Sequence, residues 1–332
     1  TTAPPPQEYE APLILAGSVD EAGFLADCKV EYNGEVIQPK NKDELQMLLA
    51  RIVKAELGHS DTMENDLAAQ KAQAIASYTY ILYYNQTNKK PCPVSMKSIN
   101  LNNGIDKKIY DAVGEVVGIK ILEKGSPICA VYSASTPEKG SPICAVYSAS
   151  TPGHTANNHE VYRYGKNLKY LYSVPSVYED REHMEHISET KWNTKFTISM
   201  EELETKLEEK YGNIGFESGS APFYVRKYDK NGQYVLETNA YYYKNGVKTY
   251  ISGHEMRAAI GSTSLRSHAF KVISSTQTTL TLDVYGYGHG IGLSQWGAAN
   301  YARYAGWDYK QILSHYYSIT QTSAHRLYAP VW

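Results

Sequence analysis

The chain has 332 residues, 42% of them apolar, with a formal net charge of -2 and a pI near 6.5. That balance argues against a nucleic-acid partner, whose footprint is a basic face, and no apolar run reaches the roughly 20 residues of a membrane span. Four cysteines, Cys28, Cys92, Cys129 and Cys144, contain no CxxC pair and are too few for a disulfide scaffold.

In chain order, residues 1–23 read as a disordered, Pro-rich lead. Its start, TTAPPPQEYEAP, looks like a tail left after a signal or anchor is trimmed, which suits an extracytoplasmic location. KVEYNGEVIQP then reads as a hairpin turning at Asn33-Gly34. NKDELQMLLARIVKAELG follows as a helix, with Asn41 and Glu44 at the N-cap and N3 positions and Gly58 as its stop. ENDLAAQKAQAIASYTYILYYN is a second helix, capped by Asn65 or Asp66. EKGSPICAVYSASTP then occurs twice without a change, at Glu123–Pro137 and Glu138–Pro152. Two copies do not make a solenoid. One copy is expected in the fold, the second being favoured because it joins directly onto GHTANNHEVY, and its PICAVYSA core is strand-like. FTISMEELETKLEEKYG is a helix stopped at Gly212, and turns at Asn231-Gly232 and Asn245-Gly246 mark a strand-rich remainder. TLTLDVYGYGHGIG runs from strand into a glycine loop, and LSQWGAANYARYAG and DYKQILSHYYS close the chain as helices. The expected class is α+β: helices early, mostly antiparallel strands later.

Candidate chemistry comes from several places. In the first helix the apolar stripe Leu45, Leu48, Leu49, Ile52, Val53 continues onto Glu56. An acid on the inward face loses water, which favours its protonated form and suits a general acid; the alternative is a frayed, solvated last turn. Lys71 lies on the stripe of the second helix, either to meet an acid or a ligand oxygen or to reach the surface. Thirty tyrosines against five phenylalanines suit half-wet surfaces and sugar faces as well as core filling. Cys144, His154, His159, His183 and His186 raise a zinc question, although their spacings match no standard set. The line YGYGHGIGLSQWG carries glycines at 286, 288, 290 and 292. It lacks the third glycine and the following acid of a dinucleotide fingerprint. Such a backbone admits another backbone or a flat ligand, with His289, Gln295 and Trp296 able to bond and stack on a sugar, or with Trp296 as core.

GHGIGLSQWGAANYA followed by GWDYKQILSHYY resembles the C-terminal signature of the stage II sporulation protein D family (SpoIID/LytB). RIVKAELG with AAQKAQAIASYTY resembles its N-terminal motif, AVYSASTPGHTANNHEVY its middle motif, and GHEMRAAIGSTSLRSHAF the segment before the glycines. The resemblance runs collinearly from about Glu44 to Thr320 and takes residues 24–332 as one catalytic domain carrying the duplication at 123–152. It implies an extracytoplasmic enzyme of the bacterial cell wall, a lytic transglycosylase without a required cofactor. Its substrate would be the glycan strands of peptidoglycan, and other wall-remodelling proteins its partners, in sporulation or elsewhere. The family's catalytic glutamate falls on Glu56 and its motif lysine on Lys71. Tyr78 stands where the family has Arg, Ser148 follows Tyr147 where it has His, and Pro152-Gly153 replaces a double glycine. Lys71, Tyr78, Tyr147, Ser148, His289, Gln295 and Trp296 are thereby the expected substrate-binding set. A non-catalytic wall-binding module or amidase enhancer is the alternative from another class, and a zinc hydrolase using Cys144, His154 and His159 a third.

Overall fold

The computed structural model describes residues 18–57, 66–123, 141–162, 167–185, 187, 191–319 and 325–332. The fold is α+β, with helices dominating the N-terminal part and largely antiparallel strands the C-terminal half. Two compact units divide it: Thr1–Tyr147 with Ala298–Trp332, and the continuous stretch Ser148–Gly297.

The first unit is built on helices α1 (Glu21–Asp27), α2 (Lys42–Leu57), α3 (Leu67–Asn88) and α4 (Gly104–Gly114). The start of α2 follows its sequence signal. Asn41 Oδ1 accepts from the Glu44 N–H at 2.9 Å, while the Glu44 carboxylate accepts from the Lys40 N–H at 2.9 Å and the Asn41 amide at 3.0 Å. One orphan donor of the helix start, the Glu44 N–H, is thus satisfied, and the Lys40 N–H just before the cap is paired as well. Leu45, Leu48, Leu49, Ile52 and Val53 are all buried, as the stripe requires. The stop expected at Gly58 lies outside the described residues, as does Asn65. Asp66 occupies the N-cap position of α3 without a capping bond; its carboxylate accepts instead from Arg303 at 2.5 Å. Before α2, the strands Val30–Tyr32 and Glu35–Ile37 form the expected hairpin. Asn33 and Gly34 have φ of 52° and 81°, the pair of left-handed residues that a tight hairpin turn demands.

Residues 18–23, expected within the disordered lead, are strand and helix, and residues 1–17 lie outside the described residues. Ser18–Asp20 is a strand lying parallel to His325–Val331, and Asp20 caps α1 by accepting from the Ala22 N–H at 3.1 Å. What holds this segment is a long-range contact that proline content does not reveal. Glu21 is 1% exposed; Lys120 Nζ lies 2.5 Å from its carboxylate and the Tyr78 hydroxyl donates to it. Burial pushes the Glu21 pKa up and that of Lys120 down, and each shift is opposed by the charge of the other. Lys120 begins the strand Lys120–Glu123, which pairs antiparallel with His325–Val331 on one side and with Ser141–Pro142 on the other. The second repeat copy therefore contributes to the fold, although Ile143–Val146 is not strand, so PICAVYSA is not one continuous element. Residues 124–137 of the first copy lie outside the described residues.

In the second unit Thr279–Tyr285 is the central strand between Asn193–Ser199 and Phe270–Ser275, antiparallel to both. Leu280, Leu282 and Val284 face inward while Thr279, Thr281, Asp283 and Tyr285 are half-exposed, the two-residue period of a strand with one buried face. The helices Met200–Tyr211 and Gly253–Ile260 add Leu203, Leu207 and Met256 to this core. The first begins only after FTIS has served as strand and ends at Gly212, where φ is 75°.

Removing one partner of a fully buried ion pair leaves the other charge without compensation, at a cost of about 3–5 kcal/mol. Lys120→Met is therefore expected to lower the urea midpoint of the first unit sharply, and Glu21→Leu added to it to restore much of the loss. An unchanged midpoint for the single variant would show the pair to be energetically idle.

Candidate functional site

Glu56 sits in the last turn of α2, half-buried, at a cavity of about 300 Å³. The lining comes from Ile52 and Glu56 of α2, Ser77, Tyr80 and Ile81 of α3, the run Cys92 to Ser95, and Tyr147. The cavity lies where the last turn of α2 and the middle of α3 set polar groups beside their buried stripes. On α3, Ala72, Ala74 and Ala76 are buried and keep the helix slim, and Ser77, two residues before the fully buried Thr79, places a hydroxyl at the wall. Gln73 Nε2 donates to Ser77 Oγ at 3.0 Å, and Ser77 is also hydrogen-bonded with Tyr147. Burial pushes the Tyr147 phenol up, and the Glu56 charge adds to that shift. Tyr147 is thus held protonated beside Glu56. Burial likewise pushes the Cys92 thiol up to about 12, so this wall is a thiol rather than a thiolate nucleophile. Glu56 is the one acidic side chain among the described lining residues.

Of the expected substrate-binding set, the structure brings Tyr147 to Glu56. Lys71 does not join them: it is paired with Glu115 at 2.6 Å at the exposed side of α3, the surface-reaching alternative. Tyr78 is fully buried, its hydroxyl committed to Glu21. A ring with no accessible face cannot stack on a sugar, so its expected role as a substrate contact is replaced by one in the core.

The remaining four belong to the second unit. Ser148 is buried, and its Oγ has no hydrogen-bond partner among the described residues. Its Cβ lies 2.5 Å from where a side chain on Gly288 would begin, and Gly288 has φ of 122°. At Gly290, φ 70°, a side chain would collide with the Tyr234 hydroxyl, which donates to the His154 carbonyl at 2.9 Å. The bare backbone is filled by neighbouring protein rather than left open for a flat ligand. Ser150 and Tyr287 exchange two backbone hydrogen bonds across it, at 3.1 and 3.0 Å. Gln295 and Trp296 are 5% and 4% exposed, which corrects the expectation of Trp296 stacking on a sugar and makes it core. His289 is half-buried, and its Nδ1 accepts from the Ile291 N–H at 3.0 Å, leaving Nε2 to carry the proton in the neutral ring.

Sequence reasoning missed two features of this unit. Glu179 is fully buried and accepts from the Thr151 N–H at 2.8 Å and the Thr151 hydroxyl at 2.7 Å; burial pushes it up to about 7 against those bonds and bonds from Ser176 and Ser294. It pins the segment that faces the glycines. The second feature is a column of rings: His154 lies 5.8 Å from Tyr234, Tyr234 4.7 Å from His268, and His268 5.8 Å from His254. Both ring nitrogens of His268 are buried without partners among the described residues. No periodicity signals either feature, since the residues lie on separate elements. Among the described residues no three His, Cys, Asp or Glu side chains form a set able to hold a metal. His154 meets Asp229 at 4.0 Å, the His159 ring lies 5.5 Å from that of Tyr172 at a tilt of 54°, and His183 pairs with Asp180 at 2.6 Å. Cys144 is hydrogen-bonded with Tyr83, and burial pushes its thiol up to about 11. The zinc set Cys144, His154, His159 thus finds no support, and His186 lies outside the described residues.

No protein-family model matches this chain, and no curated protein matches it.

Two outcomes follow. Gly290→Ala combines a left-handed backbone with a collision and is expected to destabilise the second unit by about 2 kcal/mol or more, read by thermal unfolding. The pH dependence has a defined sign. Burial lowers the pKa of His154, His254 and His268, with Arg257 adding to the shift at the last two and His254 and His289 adding to it at His268. Folded, these rings stay neutral; unfolded, they take protons near the ordinary value of about 6.5. Their share of stability is therefore complete above that pH and lost as the pH falls below it. Glu179, raised to about 7, works in the opposite direction over the same range. The difference between wild type and His268→Phe isolates the ring: the variant is expected to lose less stability between pH 7 and pH 5. Equal slopes would remove His268 from the account.

Proposed function

We propose that this chain is a lytic transglycosylase of the stage II sporulation protein D type, acting on peptidoglycan glycan strands outside the cytoplasmic membrane. The observation that carries the proposal is a single carboxylate, Glu56, at a cavity whose other described lining residues include no second acid. A glycosidase of the usual kind works with two carboxyl groups flanking the bond. A lytic enzyme works with one. The acid form of Glu56 gives its proton to the glycosidic oxygen as the bond from that oxygen to C1 of N-acetylmuramic acid breaks. The carboxylate left behind then takes the proton of the sugar's own C6 hydroxyl, whose oxygen closes on C1 to form the 1,6-anhydro ring. Glu56 ends protonated, as it began. Tyr147, kept neutral, is a hydrogen-bond donor beside that carboxylate, and Ile52, Ile81 and Val94 supply the apolar wall that keeps water from competing. The motif resemblance supplies the substrate and the bond; the cavity supplies the acid and its surroundings.

A non-catalytic wall-binding module is the second reading. It is favoured by Tyr78 and Ser148, which stand where the resembled family has Arg and His and are both buried, so that neither supports Glu56 in catalysis.

Mass spectrometry of purified glycan strands, incubated with the wild type and with Glu56→Gln, separates the two. Anhydro-ended products are expected from the wild type, reduced by about a hundredfold or more in the variant. Reducing ends in place of anhydro ends would make the enzyme a hydrolase, and intact strands bound by both proteins would leave the binding module.

A further inference from the structure

Tyr80, at the wall of the cavity, is the first of three tyrosines. Tyr80, Tyr83 and Tyr84 stand at i, i+3 and i+4 on α3, one stripe of the helix. The Tyr80 ring lies 6.4 Å from Tyr83 with an interplanar angle of 29°, and 6.1 Å from Tyr84 at 51°. All three are half-buried, whereas Ile81 and Leu82 between them are buried and take the core side. Tyr83 is anchored: it is hydrogen-bonded with Cys144 and Thr87, and burial pushes it up to about 12. It backs Tyr80 and leaves Tyr84 as the outer ring. Lys90 Nζ stands 5.9 Å from the Tyr84 ring centroid, and no ion pair is recorded for this exposed lysine among the described residues. The backbone beneath is fixed, since the Asn85 amide donates to the Lys29 and Lys90 carbonyls at 2.9 Å each and its oxygen accepts from the Lys29 N–H at 2.8 Å.

We propose that Tyr80, Tyr84 and Lys90 form a subsite running out of the cavity, which holds a further sugar of the glycan and a carboxylate that this sugar carries. The inference rests on the glycan reading of Glu56. The apolar C–H face of a pyranose packs on an aromatic ring, and the hydroxyl at the ring's tip serves the polar edge. A lysine beyond the last ring then meets an acid at the far end of the same sugar. In peptidoglycan that acid is either the lactyl carboxylate of muramic acid or one on an attached peptide.

Binding is measured with Glu56→Gln as the parent, so that nothing is cleaved. Three ligands are compared: N-acetylglucosamine oligosaccharides, which lack a carboxylate, peptide-free glycan strands, and peptide-bearing strands. Tyr84→Ser is expected to weaken all three by roughly tenfold, and Tyr84→Phe to retain binding. Lys90→Gln is expected to weaken the acidic ligands alone. A loss confined to peptide-bearing strands places the carboxylate on the peptide; a loss confined to peptide-free strands places it on the lactyl group, which is an uncharged amide wherever a peptide is attached; a loss with both shows that Lys90 meets whichever of the two acids the sugar carries. Binding by Tyr84→Ser that matches the parent, or a parent that binds none of the three, overturns the subsite. The transglycosylase reading is decided separately: a wild type that forms no anhydro ends but still binds, with Tyr84→Ser weakened, overturns the chemistry and leaves the subsite standing.

Discussion

An ion pair taken wholly out of water organises the first unit. Lys120 and Glu21 are both buried, at 2.5 Å, with the Tyr78 hydroxyl as a third partner. Neither charge is stable there alone, so the three elements that carry them must come together or leave an uncompensated group. The pair joins α1 and its strand to the back of α3 and to the strand Lys120–Glu123. With the back of α3 so fixed, its other side is free to present Ser77 and Tyr80 to a cavity, where α2 delivers Glu56.

The second unit depends on a different constraint, the closeness of backbone to side chain. Glycine at 288 and 290 is dictated by Ser148 and Tyr234, which occupy the volume a side chain would need. The same closeness buries histidines with unpartnered nitrogens, so a site packed this tightly also carries a sensitivity to protons. Glu179 counters it in sign, and its four hydrogen-bond donors show what the histidine rings lack.

How much of this was legible depended on distance along the chain. Asn41 with Glu44, the Asn33-Gly34 turn and the stripe ending at Glu56 are local patterns, and the structure follows them because their causes span four residues or one helical turn. Alternation in Thr279–Tyr285 was legible for the same reason. Tyr78 was misread because its substrate role came only from the motif resemblance, in which it stands where the family has Arg; its hydroxyl goes to the buried Glu21 instead. The residues near 20 looked like loose lead because the groups that hold them, Lys120 and the strand His325–Val331, lie about a hundred and three hundred residues away. Trp296 carried two sequence readings, and only burial distinguishes them. Lys71 likewise lay on the right stripe, but its long side chain let it leave for Glu115.

The pairing of Ser18–Asp20 with His325–Val331, and of Asp66 with Arg303, has a consequence for how the chain assembles. The second unit is one uninterrupted stretch, Ser148–Gly297, whereas the first is written in two pieces on either side of it. During synthesis the long middle segment has all its own partners before the first unit has its last strand. Closing a loop of some three hundred residues costs only slowly growing entropy, but it comes late. Until the strand His325–Val331 has been made, the strand Ser18–Asp20 lacks this partner, and the sheet of the unit that carries Glu56 stays incomplete.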